Sequence, residues 1–339
     1  MRDDPNIDTA KIVDTLEAEY GLRVATVRFL PIGYDLNAAV YEVVTEDGGR
    51  YFLKVRFGPV HEPSLVVPNA LIDLGIGNVL GPVRTRSGAL WRPLDGGSDS
   101  TVVLYPFILG ESAMIARMTG DQWRTFGSTL RAVHDSGLGK RFREFLPVET
   151  FALPSAALVR RIMALTDRMA SREGAAVSFA DTWRVQLTRI REMLTRAEAL
   201  GSSLRSCDFD LVLCHADIHA ANILVGDEGG IHLIDWDGTM IAPRERDLLF
   251  VVGSRIARKV EPREEKWFFE GYGPIQIDPS ALVYYRYERI IEDLGEIGRS
   301  VFLDSKMSEP ARLGAVELAK GFFATGGAID RAETVALSQ

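Results

Sequence analysis

Apolar side chains Ile7, Ala10, Ile12, Val13, Leu16 and Tyr20 recur with helical spacing, and Gly21 follows the last of them. This pattern predicts an amphipathic helix over residues 7–20. The period then shortens. "RVATVRFL", "AVYEVVTE" and "RYFLKVRF" read as strands, and Asp47-Gly48-Gly49 between the last two reads as a hairpin turn. A helical stretch over about residues 64–74 comes next, with Pro68 expected to confine or kink it. "ALWRPL" and "TVVLYPFI" form a further expected strand pair around the loop "DGGSDS".

Beyond Phe107 the pattern changes. Thr119 and Gln122 have capping-box spacing, ahead of a helix whose inner face carries Trp123, Phe126, Leu130 and Val133. Residues 154–200 are long and helical in pattern. "DLVLC", "NILV" and "IHLIDW" are short apolar segments, and a late helix is expected at Asp278-Pro279, with Asp as N-cap and Pro in the first turn. The expected fold class is α+β with two lobes. Residues 1–104 make a small β-rich lobe, 105–112 a hinge, and 113–339 a mainly helical lobe.

A chain of 339 residues suits two lobes, and 46% hydrophobic with 25% charged residues is a globular composition. The net charge of -8 weighs against a nucleic-acid partner and suits a cationic small molecule, although solubility alone accounts for mild acidity. Only Cys207 and Cys214 are present, so reduced thiols in a cytoplasmic protein are expected. No apolar run approaches the roughly 18 residues of a membrane span, and the N-terminus lacks a signal-peptide core. A monomer or weak dimer is expected.

The chemistry concentrates in "LCHADIHAANILV". His215, Asp217 and His219 have the spacing of metal ligands in a hydrolase. Against this, His61, His134 and His232 make no second cluster, and two hydrogen-bonded structural histidines are the plainer reading. Alternatively, Asp217, Asn222 and Asp235 form the set. His-x-Asp-x-x-x-x-Asn, followed by a strand ending in Asp, is the spacing of a phosphoryl-transfer loop. There one carboxylate meets the attacking hydroxyl, while an amide oxygen and a second carboxylate bind Mg²⁺, which prefers such hard oxygen ligands.

Phosphoryl transfer also requires a cation for the phosphates. Lys54 stands inside the apolar strand "YFLKVRF", where an unpaired ammonium would be costly. Glu62 is the expected ion-pair partner, and the turn around Gly33 is expected to cover the phosphates with backbone amides.

Together these residues resemble the aminoglycoside phosphotransferase family, kinase-like enzymes acting on small molecules. The resemblance runs from the Lys54 region through "LYPFILGES" to the C-terminal helices. It is densest in "VLCHADIHAANILVGDEGGIHLIDWDGTMIAPRERDLLF". That segment, with "FFEGYG" and "YYRYERIIEDL", looks most like the spectinomycin-phosphorylating branch. The resemblance implies a protein-kinase-like fold using ATP, with GTP possible, and Mg²⁺. It implies that Tyr105, Phe107 and Ile108 form the adenine-binding hinge and that Lys54 contacts phosphates with Glu62 behind it. Asp217 would be the catalytic carboxylate, and Asn222 and Asp235 the metal ligands. Trp236-Asp237 stands where protein kinases carry Phe-Gly, so their activation-loop switching is not carried over.

For a cationic acceptor the expected contacts are Asp237, Asp247, Glu288, Trp236 and Tyr284, while Arg289 and Asp293 are expected to form a helix-surface ion pair. The expected reaction is ATP-dependent phosphorylation of an aminocyclitol hydroxyl, with spectinomycin the first acceptor to try. The rivals are a kinase of a sugar, choline-like amine or amino alcohol, a non-catalytic nucleotide-binding scaffold, and the metallohydrolase.

Overall fold

The computed structural model describes residues 4–32, 37–94, 99–168, 174–304 and 307–335, with side chains through Ala332. Gly33 and part of the loop "DGGSDS" lie outside the described residues. The chain divides into two compact units. One comprises Met1–Pro147, Leu213–Met240 and Pro262–Gly273; the other comprises Val148–Val212, Ile241–Glu261 and Pro274–Gln339. The hinge expected at 105–112 lies inside the first unit, which therefore holds both the β-rich region and the catalytic-loop segment.

The first unit opens with helix α1 (Thr9–Thr15), which continues as a wider turn over Leu16–Tyr20 and stops at left-handed Gly21. Five strands follow, interrupted by helix α2 (Pro63–Asp73): β1 (Val24–Leu30), β2 (Ala38–Thr45), β3 (Arg50–Phe57), β4 (Arg92–Pro93) and β5 (Ser100–Pro106). They form one antiparallel sheet in the order β1-β2-β3-β5-β4. Alternation decides which side chains face which way. Ala39, Tyr41 and Val43 of β2, with Leu53 and Val55 of β3, pack with Ile12 and Leu16 into a closed apolar core. Lys54 and Arg56 therefore project from the opposite face. Pro68 sits inside α2 without ending it, so the expected confinement does not occur.

Glu42 ties three strands together. Its two carboxylate oxygens accept hydrogen bonds from Arg28 Nε on β1 and Arg50 Nε on β3, each at 3.0 Å. These bonds hold the Glu42 carboxyl below the ordinary range. A group whose folded pKa is depressed stabilises the fold above its unfolded pKa, and that contribution disappears as pH falls through the folded value. Glu42→Gln is thus expected to lower stability by about 1–2 kcal/mol at neutral pH, since both arginines remain hydratable. In urea titrations the gap between wild type and variant should close below pH 4.5. A gap that persists unchanged at pH 3 would refute this account.

A three-stranded antiparallel sheet joins β6 (Gly110–Ser112) to Ile223–Gly226 and Ile231–Leu233. Helix α3 (Gly120–Asp135) starts with the expected reciprocal cap: Gln122 N–H donates to the Thr119 hydroxyl and Thr119 N–H to the Gln122 amide oxygen. It packs on the helix Pro262–Tyr272, with Phe126 and Phe268 edge to face at 5.1 Å.

The second unit is helical. Its longest helix, Pro279–Phe302, begins at Asp278, whose side chain accepts from Ser280 N–H and Ala281 N–H, as expected for the N-cap. With the helices Ala156–Arg168, Ala175–Val185, Leu187–Leu204 and Glu309–Phe323, it encloses a core including Val159, Trp183, Ile190, Leu294 and Val316. Among the described residues no helix is long and apolar enough to cross a membrane.

Candidate active site

β3 presents Lys54 level with Val40 of β2 and Val103 of β5. Hydrogen-bonded neighbours on both sides make this central strand a rigid mount. Opposite it runs the segment 213–238. His215 is fully buried. Its Nε2 donates to the Ile234 carbonyl at 2.9 Å, and its Nδ1 accepts the Asp217 N–H at 3.3 Å. With both nitrogens engaged, His215 is a support for Asp217 and is unavailable as a metal ligand. His219 caps the short turn Ala220–Asn222 by accepting from Ala221 N–H, and its Nε2 lies 3.6 Å from Asp217 Oδ2. The structural reading of both histidines holds, and the metallohydrolase loses its ligand set.

Asn222 is buried and donates from Nδ2 to Asp217, 2.8 Å to the backbone oxygen and 3.4 Å to Oδ2. Its donors are thereby turned toward the loop, and its amide oxygen has no protein partner among the described residues. Ala216 and Asp235 both adopt left-handed backbone conformations, with φ of 66° and 63°. Non-glycine residues are uncommon there, and such strain persists where surrounding contacts dictate the geometry. Here both outliers flank the expected chemistry.

Asp235 lies close to Lys54, Asp237 and Asp217. Burial, followed by the Asp237 carboxylate, raises its pKa; the Lys54 ammonium opposes the rise. Crowded carboxylates beside an outward-facing amide oxygen suit a hard cation that offsets their mutual repulsion. The donor set of Asp235 and Asn222 thus fits Mg²⁺.

Glu62 corrects one expectation. It is exposed at the N-cap of α2 and makes no ion pair with Lys54. The reason is helical phase: α2 begins after it, and the buried face of α2 carries Ser64, Leu65, Val67, Pro68 and Asn69, none of them acidic. In the hinge, Phe107 N–H donates to the Arg50 carbonyl at 3.3 Å, with the Arg50 guanidinium over its ring at 4.4 Å. Ile108, by contrast, has no hydrogen-bond partner for its backbone among the described residues. Burial, aided by Asp237, raises the Tyr105 pKa and keeps its hydroxyl neutral.

The model of the phosphotransferase enzyme family matches residues 27–282. The chain belongs to this family. As a phosphotransferase it is similar to solved structures over nearly its whole length. A spectinomycin phosphotransferase in complex with ADP and spectinomycin is 30% identical with a TM-score of 0.87, covering 98% of this chain and 99% of the other. An AMP-bound spectinomycin phosphotransferase is also 30% identical, with a TM-score of 0.83 and coverage of 97% and 99%. An aminoglycoside phosphotransferase from Alicyclobacillus acidocaldarius shares the fold at 15% identity and TM-score 0.63, covering 99% and 97%. No curated protein matches significantly. The α+β, kinase-like architecture of this phosphotransferase follows from these matches.

The residues expected to hold the acceptor fare differently. Trp236 is 2% exposed, with its ring 4.5 Å from that of His215 and its Nε1 donating to the Leu233 carbonyl. Tyr284 is fully buried and its hydroxyl accepts from Leu153 N–H. Asp247 is fully buried at a four-residue helix, and Glu288 is buried in an ion pair with Arg246. Trp236, Tyr284 and Glu288 are interior residues whose polar atoms find partners within their own units, and Asp247 is as deeply buried. Arg289 and Asp293 pair at 3.1 Å, as expected. Of the acceptor candidates only Asp237 is appreciably exposed, and it pairs with Arg56 at 3.7 Å. Arg56 went unnoticed in the sequence, although its position two residues after Lys54 was the available signal.

Proposed function

We propose that this phosphotransferase moves the γ-phosphoryl group of ATP to a hydroxyl of spectinomycin or a close aminocyclitol. The geometry that supports the reaction is the Asp217–Asn222 pairing opposite Lys54 and Asp235. The acceptor is supported by the full-length similarity to an enzyme whose structure holds spectinomycin and ADP.

Asp217 stands at the solvent-reachable end of its loop, its side chain one-third exposed. A carboxylate is a weak base toward an alcohol. It therefore orients the hydroxyl and takes its proton late. The acceptor oxygen bonds to phosphorus as the bond from phosphorus to the β-phosphate oxygen breaks, and ADP leaves with that electron pair. Lys54 binds phosphate oxygens, and the Ile108 backbone is the open hydrogen-bonding edge for the base. Asp235 and the Asn222 amide oxygen would hold Mg²⁺, which supplies charge neutralisation to the triphosphate when bound.

Mass spectrometry of spectinomycin incubated with enzyme and Mg-ATP tests the proposal. One added phosphoryl group is expected, and none with Asp217→Ala. Negligible spectinomycin turnover beside rapid ADP release on a sugar or choline-like alcohol would reject the acceptor assignment. Chelation by EDTA is expected to stop ADP release, and Mg²⁺ to restore it. Asp235→Asn should need roughly tenfold or more Mg²⁺ for half-maximal activity, since one charged ligand is lost.

A further inference from the structure

Two alternating pairs face one another in the first unit. Lys54 and Arg56 project from the same face of β3, and Asp235 and Asp237 lie two residues apart in the strand-to-turn segment. Arg56 Nη1 is 3.7 Å from Asp237 Oδ1, and the Arg56 side chain is only 15% exposed. Both ends of this contact are mounted on rigid supports. β3 is hydrogen-bonded to β2 and β5 along its length. The turn Trp236–Gly238 is fixed by Trp236 beneath His215 and by the Thr239 hydroxyl donating to the Trp236 carbonyl at 2.7 Å. Gly238 packs against the catalytic loop, where an added Cβ would be in van der Waals contact with the His215 carbonyl at 3.4 Å and Asp217 Cβ at 3.5 Å. Meanwhile Glu62, the residue expected to orient β3's lysine, is exposed at the N-cap of α2.

We propose that the Arg56–Asp237 ion pair is a positioning latch that sets the distance between Lys54 on β3 and the carboxylate of Asp235. The latch acts one residue pair beyond the groups that meet the nucleotide, so strain on it transmits directly to their separation. Asp237 is accordingly occupied by the protein and is a positioning residue rather than an acceptor contact. The inference rests on the nucleotide reading of this cleft and is independent of which acceptor is phosphorylated.

Calorimetric titration with Mg-ATP, without acceptor, tests it in a double-mutant cycle of Arg56→Ala and Asp237→Asn. An ion pair with one partly exposed member has modest coupling, so each single variant is expected to weaken binding about fivefold. The double variant should be no weaker than either single, and Arg56→Lys should recover binding to within about twofold. Thermal unfolding of each variant checks that folded protein is compared. Independent effects that multiply to about 25-fold would show that Arg56 meets the nucleotide by itself and overturn the latch. Wild-type affinity in both singles would overturn it equally. Failure of the wild type to bind Mg-ATP would overturn the nucleotide reading and the latch together.

Discussion

Asp217→Ala is expected to lower kcat by about 10³-fold while Mg-ATP affinity stays within a few-fold of wild type. The proton acceptor for the attacking hydroxyl contributes on the order of 10²–10⁴ in rate, and its loss leaves the phosphate-binding groups in place. Asp217 is held from three sides: by the His215 ring through its backbone N–H, by Asn222 at its backbone and side-chain oxygens, and by His219 nearby. Removing the carboxylate leaves the His215–Ile234 and Asn222–Asp217 backbone bonds untouched, so the loop should keep its shape. ADP release at saturating acceptor, with the Kd for Mg-ATP measured by calorimetry, separates the two effects. Activity within tenfold of wild type would remove Asp217 from its assigned role.

Gly271→Ala is expected to destabilise the protein by about 3 kcal/mol, at the upper end for overpacking. The helices containing Gly127 and Gly271 approach backbone to backbone. A Cβ on Gly127 would come within 2.1 Å of the Phe268 carbonyl oxygen, and one on Gly271 within 1.9 Å of the Arg124 carbonyl oxygen. Backbone cannot move aside as a side-chain tip can, so the helices must separate. That would strain the Arg124–Glu270 ion pair and the hydrogen bond between His134 Nδ1 and the Tyr272 hydroxyl. Alanine's better helix propensity returns only about 1 kcal/mol. Equilibrium unfolding in urea measures the difference, and a variant as stable as wild type would contradict so close an approach. The same contact gives "FFEGYG" a physical meaning: its first glycine is the point where two helices touch.

Local rules made much of the fold legible. Strand alternation placed β1 to β3, the Thr119–Gln122 cap and the Asp278 cap are both present, and the spacing of Asp217, Asn222 and Asp235 led to one loop and one strand end. Each of those signals depends on neighbours within a few residues. Glu62 shows where such reasoning stops. A glutamate near the start of a helix looks suited to pair with Lys54, but helical phase turns it outward, and only the packed face of α2 reveals that no acid is there.

Burial was the other hidden quantity. Trp236, Tyr284, Asp247 and Glu288 have the side chains of a binding pocket, yet each is buried. Aromatic and acidic residues serve pockets and interiors alike, and what separates the two roles is whether water reaches them. The strand segments β1 to β3, the helix caps and the spacing of the loop residues were determined by the sequence itself, because short-range sterics and hydrogen bonding set them. Which side chains meet across the fold was decided only by tertiary structure: Arg56 with Asp237, Gly271 with the Arg124 carbonyl, Glu288 with Arg246. Those pairings depend on how distant segments pack, and no local period encodes it.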